Sequence, residues 1–574
     1  MRSRWPVAIG VFSLCLAAEA AVAETAVTGI EGELLSNVLA FLTLDDLACD
    51  TGTLTVARAI ELAPEEVRAA LNAYGFYSAE ISTELTQDDD CWQVDIQVDT
   101  GEPVHLRNVS VTVDGPAAEL PEFQVLLENA ALLPGAQLRH PDYDNLKRGL
   151  TDLARNRGFA EAVFTAGRID IYPEQLAADV ELAFESGPRY SVGAVTVNQN
   201  VLEPDFVAAF FDLSQGVPYD NRLLTSAFLD LNNSGYFSTV DVSALPPDAA
   251  TRTIPVEIDL VAAAHRTISY GVGFSTDTGP RFRFGRSIRR FNQQGHQLSI
   301  DGQLSPVVSE ITSIYRMPMD NPRNDWLNFS LGAKREETDT SLARSIEAGI
   351  RRIIDRSRGW SRTQFVNYVV EDFEVGSQTG RPHLLIPGID WTRIRGDDAI
   401  RPQNGSRLYF EIRGADDSAL SDTSFVQATA SVKWIRSIAP RTRVLLRGAA
   451  GYLHEDNFAQ LPPSIRYFAG GDTSIRGFDF ESLGPVDSDG AVIGGTRLFV
   501  SSVELERDIK PRWSVAFFVD HGNAFDEHDY DGRTGAGIGT RWRSPLGPVR
   551  LDIAWPVNDL EHGPRLHISL GPDL

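Results

Sequence analysis

The stretch Arg466-Tyr467-Phe468-Ala469-Gly470-Gly471-Asp472-Thr473-Ser474-Ile475-Arg476-Gly477-Phe478-Asp479-Phe480 holds the residues whose types and spacing could act together. Gly470 and Gly471 permit a sharply folded backbone, and they precede one cation, Arg476, set between apolar Ile475 and Phe478. Two readings are open at this point: a glycine turn with a solvated arginine, or a folded loop whose guanidinium is received by a buried anion. The chemistry of the second is recognition without bond breaking. No G-x-S-x-G elbow, H-E-x-x-H pair or phosphate-cradling P-loop occurs, and His454-Glu455 lacks a second ligand. The chain is therefore read as a non-enzyme that needs no cofactor, with no catalytic, cofactor-binding or metal residue assigned.

A receiver for Arg476 is sought among alternating strands. In the run Trp513 to Asp520, Trp513, Val515, Phe517 and Val519 share one face and Asp520 takes the other. In the run before it, Phe499, Ser501, Val503 and Leu505 share a face and Glu504 opposes them. Asp520 and Glu504 are thus the expected acceptors. A guanidinium fork meets a carboxylate through two parallel hydrogen bonds, which lysine cannot reproduce.

The elements that position these residues divide the chain in two. From about Arg266 onward, runs of roughly ten residues alternate apolar with polar, as in Arg407 to Arg413 and Val549 to Trp555, and about 16 such strands can be counted. A soluble sandwich competes with a membrane barrel for this pattern. Charges such as Arg550 and Asp552, alternating within strands whose other face is wholly apolar, favour a barrel with a wetted lumen. Beyond the N-terminus no apolar run reaches the roughly 20 residues of a membrane helix, so a membrane form must be a closed barrel.

The preceding region repeats. An amphipathic helix ending in glycine and an aromatic recurs at Gly75-Phe76, Gly158-Phe159 and Gly235-Tyr236, 83 and then 77 residues apart. The boundaries Gly101-Glu102-Pro103-Val104 and Gly187-Pro188-Arg189-Tyr190 also match. The expected organisation is a signal peptide at 1–23, small α/β domains at 24–101, 102–187 and 188–264, and a barrel at 265–574. The signal rests on Arg2 and Arg4, the apolar run Val7 to Leu16, and the small residues Ala21-Val22-Ala23. Export makes Cys49 and Cys91 an expected disulfide, Cys15 falling within the signal. The formal net charge of −27 over 574 residues argues against a nucleic-acid partner.

Ile475-Arg476-Gly477-Phe478 together with Phe518-Val519-Asp520-His521-Gly522, behind a signal peptide and three α/β units, resembles the BamA/TamA superfamily of outer-membrane insertases and transporters. The first string resembles its (V/I)RG(F/Y) motif and the second its FxDxG motif. The unit count and the string from Phe468 to Phe478 look most like the TamA branch. The resemblance implies three POTRA-like domains in the periplasm of a Gram-negative cell, followed by an antiparallel transmembrane β-barrel of about 16 strands. It also implies work on unfolded outer-membrane protein clients, autotransporters among them, beside outer-membrane lipid, and a periplasm-spanning TamB-like partner docked on the POTRA-like domains. Gly470, Gly471, Arg476, Gly477 and Phe478 would form an inner-loop latch held by Asp520 and Glu504. A lateral seam would lie between Arg266–Ser275 and Arg565–Leu570, weakened by Gly271, Gly273 and Gly571. A two-partner secretion pore, with two POTRA domains and a plug helix, and a general BamA-like assembly factor are the rival readings. The ending Leu570 to Leu574 lacks the terminal aromatic of many barrel proteins.

Overall fold

The structure is a computed structural model that describes residues 24–49, 51–88, 91–356, 359–398, 400–544, 547–557 and 563–571. The expected signal peptide, Cys15 and the last three residues lie outside these. Backbone contacts divide the chain into two compact units, Met1–Val195 with Leu213–Leu224 and Ala244–Val256, and Thr196–Asp212 with Thr225–Ser243 and Glu257–Leu574.

The N-terminal region holds three three-stranded sheets built to one plan. The first comprises β1 (Glu24–Thr28), β2 (Glu80–Asp88) and β3 (Cys91–Asp99), with helices α1 (Gly32–Phe41) and α2 (Thr53–Asn72). The second comprises β4 (His105–Asp114), β5 (Val163–Tyr172) and β6 (Ala177–Glu185), with α3 (Pro121–Glu128) and α4 (His140–Asn156). The third comprises β7 (Ser191–Asn198), β8 (Phe237–Ala244) and β9 (Thr253–Ala262), with α5 (Pro204–Ala208) and α6 (Asn221–Asn233). In each, the last strand in sequence lies between the other two. The first strand joins it in parallel, β1 on β3 and β4 on β6, because a helical crossover separates them, and the hairpin partner joins antiparallel.

The repeated glycines end the helices. Gly75, Gly158 and Gly235 have φ of +86°, +83° and +74°, and at Gly158 a Cβ would meet the Tyr190 carbonyl oxygen at 3.1 Å. The residue after each of the first two closes the helix by donating back to a carbonyl five residues earlier, Phe76 to Leu71 and Phe159 to Ala154. The glycine carbonyl then accepts from the start of the next unit, Gly75 from Val104 and Gly158 from Tyr190. The two sequence boundaries that match are the same backbone joint used twice.

Beside the second joint, Arg157 is buried between Glu122 and Asp220, donating Nη2 to Glu122 at 2.5 Å and Nη1 to Asp220. Burial would raise the Asp220 carboxyl, but hydrogen bonds from Arg222 and the charges of Arg157 and Arg222 outweigh it and hold the group below its ordinary range. A depressed carboxylate contributes stability above its unfolded pKa, near 4, and loses it as pH falls through the folded value. Arg157→Ala is expected to destabilise the N-terminal region by about 1.5 kcal/mol near pH 7, the loss of its charged hydrogen bonds, since Asp220 keeps Arg222 and Glu122 is partly exposed. Urea melts of the full chain should show the deficit shrink below pH 4; an equal deficit at pH 3 and pH 7 counts against the ion pairs as its cause.

The barrel runs, each strand antiparallel to the next, through β10 (Arg266–Ser275), β11 (Gly279–Ile288), β12 (Gln297–Leu304), β13 (Val308–Pro318), β14 (Asp325–Glu337), β15 (Ser341–Arg356), β16 (Trp360–Val375), β17 (Gln378–Gly380) and β18 (His383–Gly396). It continues through β19 (Asn404–Ala415), β20 (Phe425–Ala439), β21 (Thr442–Glu455), β22 (Arg497–Lys510), β23 (Trp513–Phe525), β24 (Arg533–Ser544), β25 (Gly547–Pro556) and β26 (Arg565–Leu570). The three-residue β17 sits in the turn after β16, which pairs directly with β18, so 16 strands form the wall. Alternation sets outward Leu331, Ile346, Ile350, Phe517 and Val519 against inward polar residues. Among the described residues no helix is long and apolar enough to cross a membrane.

The two ends of the wall meet weakly. β10 pairs with β11 over ten residues and β25 with β26 over six, but β10 and β26 share the single pair Ser275↔Ser569. Arg266 to Phe274 have no strand partner on the β26 side among the described residues.

Candidate functional site

The segment 456–496, between β21 and β22, turns back into the lumen. Its Leu461, Ile465, Tyr467, Ala469, Ile475 and Phe478 are buried in one apolar cluster with wall residues such as Phe425, Leu453 and Val500. Gly470 and Gly471 have φ of +102° and +100°, and a Cβ on Gly470 would lie 2.3 Å from the Asp479 carbonyl oxygen. The doubled glycine lets the strand-like approach reverse within the barrel.

The fold carries Arg476 onto the wall. Its Nε donates to Asp520 Oδ2 at 2.7 Å, its Nη2 to Asp520 Oδ1 at 2.9 Å, and its backbone N–H to Oδ2 at 3.1 Å. Its Nη1 donates to Glu504 at 2.8 Å and to Asp552 at 3.0 Å. The guanidinium lies 3.3 Å from the centroid of the Phe518 ring, two residues before Asp520 on the same face. Asp520 has 0% of its surface exposed. Three carboxylates around one cation would repel, and Arg541 on β24 offsets them. It donates to Glu504 at 2.7 Å, to Asp552 at 2.5 Å and to Glu506 at 3.2 Å, while Arg443 of β21 meets Glu506 at 2.6 Å. The result is an alternating ionic lattice across β21 to β25 with the loop arginine at one end.

Strand parity reaches Asp520 and Glu504, and the structure brings both to Arg476. It also brings Asp552, whose inward parity is legible in Val549 to Trp555. Unread in the sequence were the glycines of β24. Gly535 and Gly539 stand where a Cβ would lie 1.8 Å from the Arg476 carbonyl oxygen and 1.7 Å from Asp552 Oδ1. A Gly-x-Gly-x-Gly alternation inside a strand is the signal of such a close approach.

A second part of the loop reaches the seam. Asp472 accepts from Ser275 Oγ and Thr276 Oγ1 at the end of β10, both at 2.8 Å, and lies 2.6 Å from His567 Nδ1 on β26. His567 Nε2 accepts the Gly477 N–H at 2.9 Å, so the ring proton sits on Nδ1 and is donated to Asp472. One loop carboxylate thus holds both edges of the seam. Asp277, Asp472 and His567 also place ligand atoms within 4.8 Å of one another, a size that would admit a cation. Both His567 nitrogens and both Asp472 oxygens are already engaged, so the protein closes this cluster on itself. Burial and the neighbouring Asp472 charge push the Asp277 carboxyl, in the turn after β10, up to about 7.

The three seam glycines differ in setting. Gly271 and Gly273 pair with Arg283 and Arg281 of β11. A Cβ on Gly273 would lie 2.7 Å from Arg281 Nε, so this glycine clears the path by which Arg281 crosses β10 and donates to the Leu570 carbonyl at 3.4 Å. Gly273 therefore admits a contact across the seam rather than weakening it. Gly571 follows the end of β26. Cys49 is disulfide-bonded, while the side chain of Cys91 lies outside the described residues.

The model of the Omp85 superfamily domain matches residues 266–572, and that of POTRA domain TamA domain 1 matches residues 24–100. Among curated proteins, the outer membrane protein assembly factor BamA of Nitratidesulfovibrio vulgaris is 23% identical over 452 residues, covering 74% of this chain and 56% of that one. The BamA of Neisseria meningitidis serogroup B is 20% identical over 551 residues, covering 83% and 68%. The chain thus spans little more than half the length of the first of these relatives. The crystal structure of Haemophilus ducreyi BamA lacking POTRA domains 1–3 superposes with a TM-score of 0.69 at 15% identity, over 82% of this chain and 99% of that one, a likeness of fold.

Proposed function

We propose, from the premise that this chain belongs to the Omp85 superfamily, that it inserts other β-barrel proteins into the outer membrane of a Gram-negative cell through the seam between β10 and β26. One observation carries the reading: a single residue pair joins the two strands, and β10 keeps an unpartnered edge from Arg266 to Phe274 among the described residues. Backbone groups without partners are costly in hydrocarbon, so this edge is a template for an incoming strand. Folding of the client supplies the driving force, and no nucleotide is consumed. The latch formed by Gly470, Gly471, Arg476, Gly477 and Phe478 with Asp520 and Glu504 keeps the inner loop seated while the seam is closed.

The match of residues 24–100 to a TamA-type POTRA domain, and three sheets in the N-terminal region, support a TamA-type role with autotransporters among the clients. In that role the α/β domains stand in the periplasm and receive a periplasm-spanning TamB-like chain. Domain limits at 24–101, 102–187, 188–264 and 265–574 belong to the same reading, as does a Cys49–Cys91 disulfide.

A photo-crosslinking side chain at Ile268 or Tyr270, outward on β10, is expected to capture a client stalled in assembly. The same group at Ile350, outward on β15, should not. Equal capture at both positions, or none at β10, would sink the edge-template mechanism.

A further inference from the structure

The outer wall carries a pair of opposed arginines that client insertion does not use. Antiparallel register sets Leu304 opposite Ser309, Ser309 opposite Arg335, Arg335 opposite Arg344, and Arg344 opposite Asp372. The next row sets Ile311 opposite Ala333, Ala333 opposite Ile346, and Ile346 opposite Val370. Both rows face outward, since Leu331, Ile346 and Ile350 of the same parity are exposed to the surroundings of the barrel. A cavity of about 640 Å³ lies along them, lined by the apolar Ile311, Ile346 and Val370, by Arg335, Arg344, Arg381 and Lys334, and by the acids Glu310 and Asp372.

Two features point to an anion at the rim. Arg335 and Arg344 are directly opposed across a strand pair, where like charges destabilise a sheet. Arg335 is tied to Glu337 and Arg344 stands opposite Asp372, which offsets part of the charge, but neither Arg344 nor Arg381 makes a close ion pair among the described residues. A chain with a net charge of −27 has nonetheless gathered three arginines and Lys334 here against Glu310 and Asp372.

The depth of the row identifies the anion's carrier. Down β15 the outward positions after Arg344 are Ile346, Ala348 and Ile350, and the next outward charge is Arg352, tied to Asp325 at 2.7 Å. Eight residues of tilted strand rise about 20 Å, close to the apolar band of an outer-membrane barrel. The arginine row therefore lies where hydrocarbon gives way to headgroups. It lies at the end of the wall opposite the start of β10, which follows the periplasmic domains in the chain, and so faces the outer leaflet. We infer that Arg335, Arg344 and Arg381 bind the phosphate of a phosphorylated, multiply acylated glycolipid of the outer leaflet, with an acyl chain along Ile311, Ile346 and Val370. Guanidinium forks match phosphate oxygens, and an anion between Arg335 and Arg344 turns their repulsion into a shared bond.

Native mass spectrometry of the full chain, purified in detergent and mixed with bisphosphorylated lipid A, tests the site. One lipid should stay bound per chain, and the R335A/R344A/R381A variant should lower its occupancy about tenfold, equivalent to about 1.4 kcal/mol. Lipid A stripped of phosphate should bind the wild-type chain no better than the intact lipid binds the triple variant, and inorganic phosphate alone should not be retained. Equal occupancy for wild type and variant, or for intact and dephosphorylated lipid, overturns the inference. Were the triple variant not to fold, Arg344→Gln alone should lower occupancy about threefold; no loss would have the same force. Client insertion is not read in this assay, so its outcome is independent of the seam mechanism.

Discussion

A disulfide between cysteines placed at Ser275 and Ser569 is expected to abolish client insertion, and reduction should restore it. Among the described residues these are the direct partners in the one pair joining β10 to β26, and antiparallel partners place side chains on one face at a separation a disulfide spans. The native joint is small. Besides that pair, Thr276 N–H donates to the Ile568 carbonyl at 3.1 Å, Ile568 N–H donates to Thr276 Oγ1 at 3.1 Å, Arg281 reaches Leu570, and Asp472 of the loop bridges Ser275 and Thr276 to His567. At about 1 kcal/mol net for each bond, opening here costs a few kcal/mol. Opening at β25–β26, the next shortest pairing, would break six residue pairs. The seam therefore yields first, and a covalent bond across it removes the one inexpensive opening. Insertion into lipid vesicles, compared with and without reductant, is the measurement. Undiminished insertion by the oxidised chain would show that the seam need not part. The cysteines also remove the Ser275 hydrogen bond to Asp472, so the reduced double variant is the proper reference.

Arg476→Ala should release the inner loop while leaving the barrel wall folded. Removing one partner of a buried ion pair costs about 3–5 kcal/mol, because the other charge stays buried and uncompensated. The loss falls unevenly. Glu504 and Asp552 keep Arg541, whereas Asp520 is left with the backbone N–H of residue 476 at 3.1 Å and, as a cation, Arg447 at 3.7 Å. Asp520→Ala should accordingly resemble Arg476→Ala more closely than Glu504→Ala does. Arg476→Lys should restore little, since an ammonium cannot give Asp520 two parallel bonds while also reaching Glu504 and Asp552. Protease cleavage within 456–496 is the readout. Wild-type resistance in Arg476→Ala, with normal insertion, would remove the latch from the mechanism.

How much of this could be read before folding depended on period. Two-residue alternation is a local property, so the inward faces of Asp520, Glu504 and Asp552 were legible one strand at a time. The helix–glycine–aromatic repeat was legible because a left-handed C-terminal residue has a narrow chemistry. What joins distant strands was not. Asp472 looks like an ordinary loop acid, and nothing local says that Ser275 and His567, nearly three hundred residues apart, will both lie beside it. The register that sets Ser275 opposite Ser569 was equally hidden, being a matter of two strands far apart in the chain. Gly273 shows the hazard of a generic rule: glycine in a strand suggests weakness, yet here its missing side chain lets Arg281 cross.

Asp472 and Arg476 stand four residues apart on one loop, the first holding the seam and the second the wall. The loop's seat and the closed seam are therefore linked equilibria. If seating the loop disfavours an open seam by some factor, a strand that occupies the open edge must weaken the loop's seat by that same factor. A client could then unseat the loop without touching it.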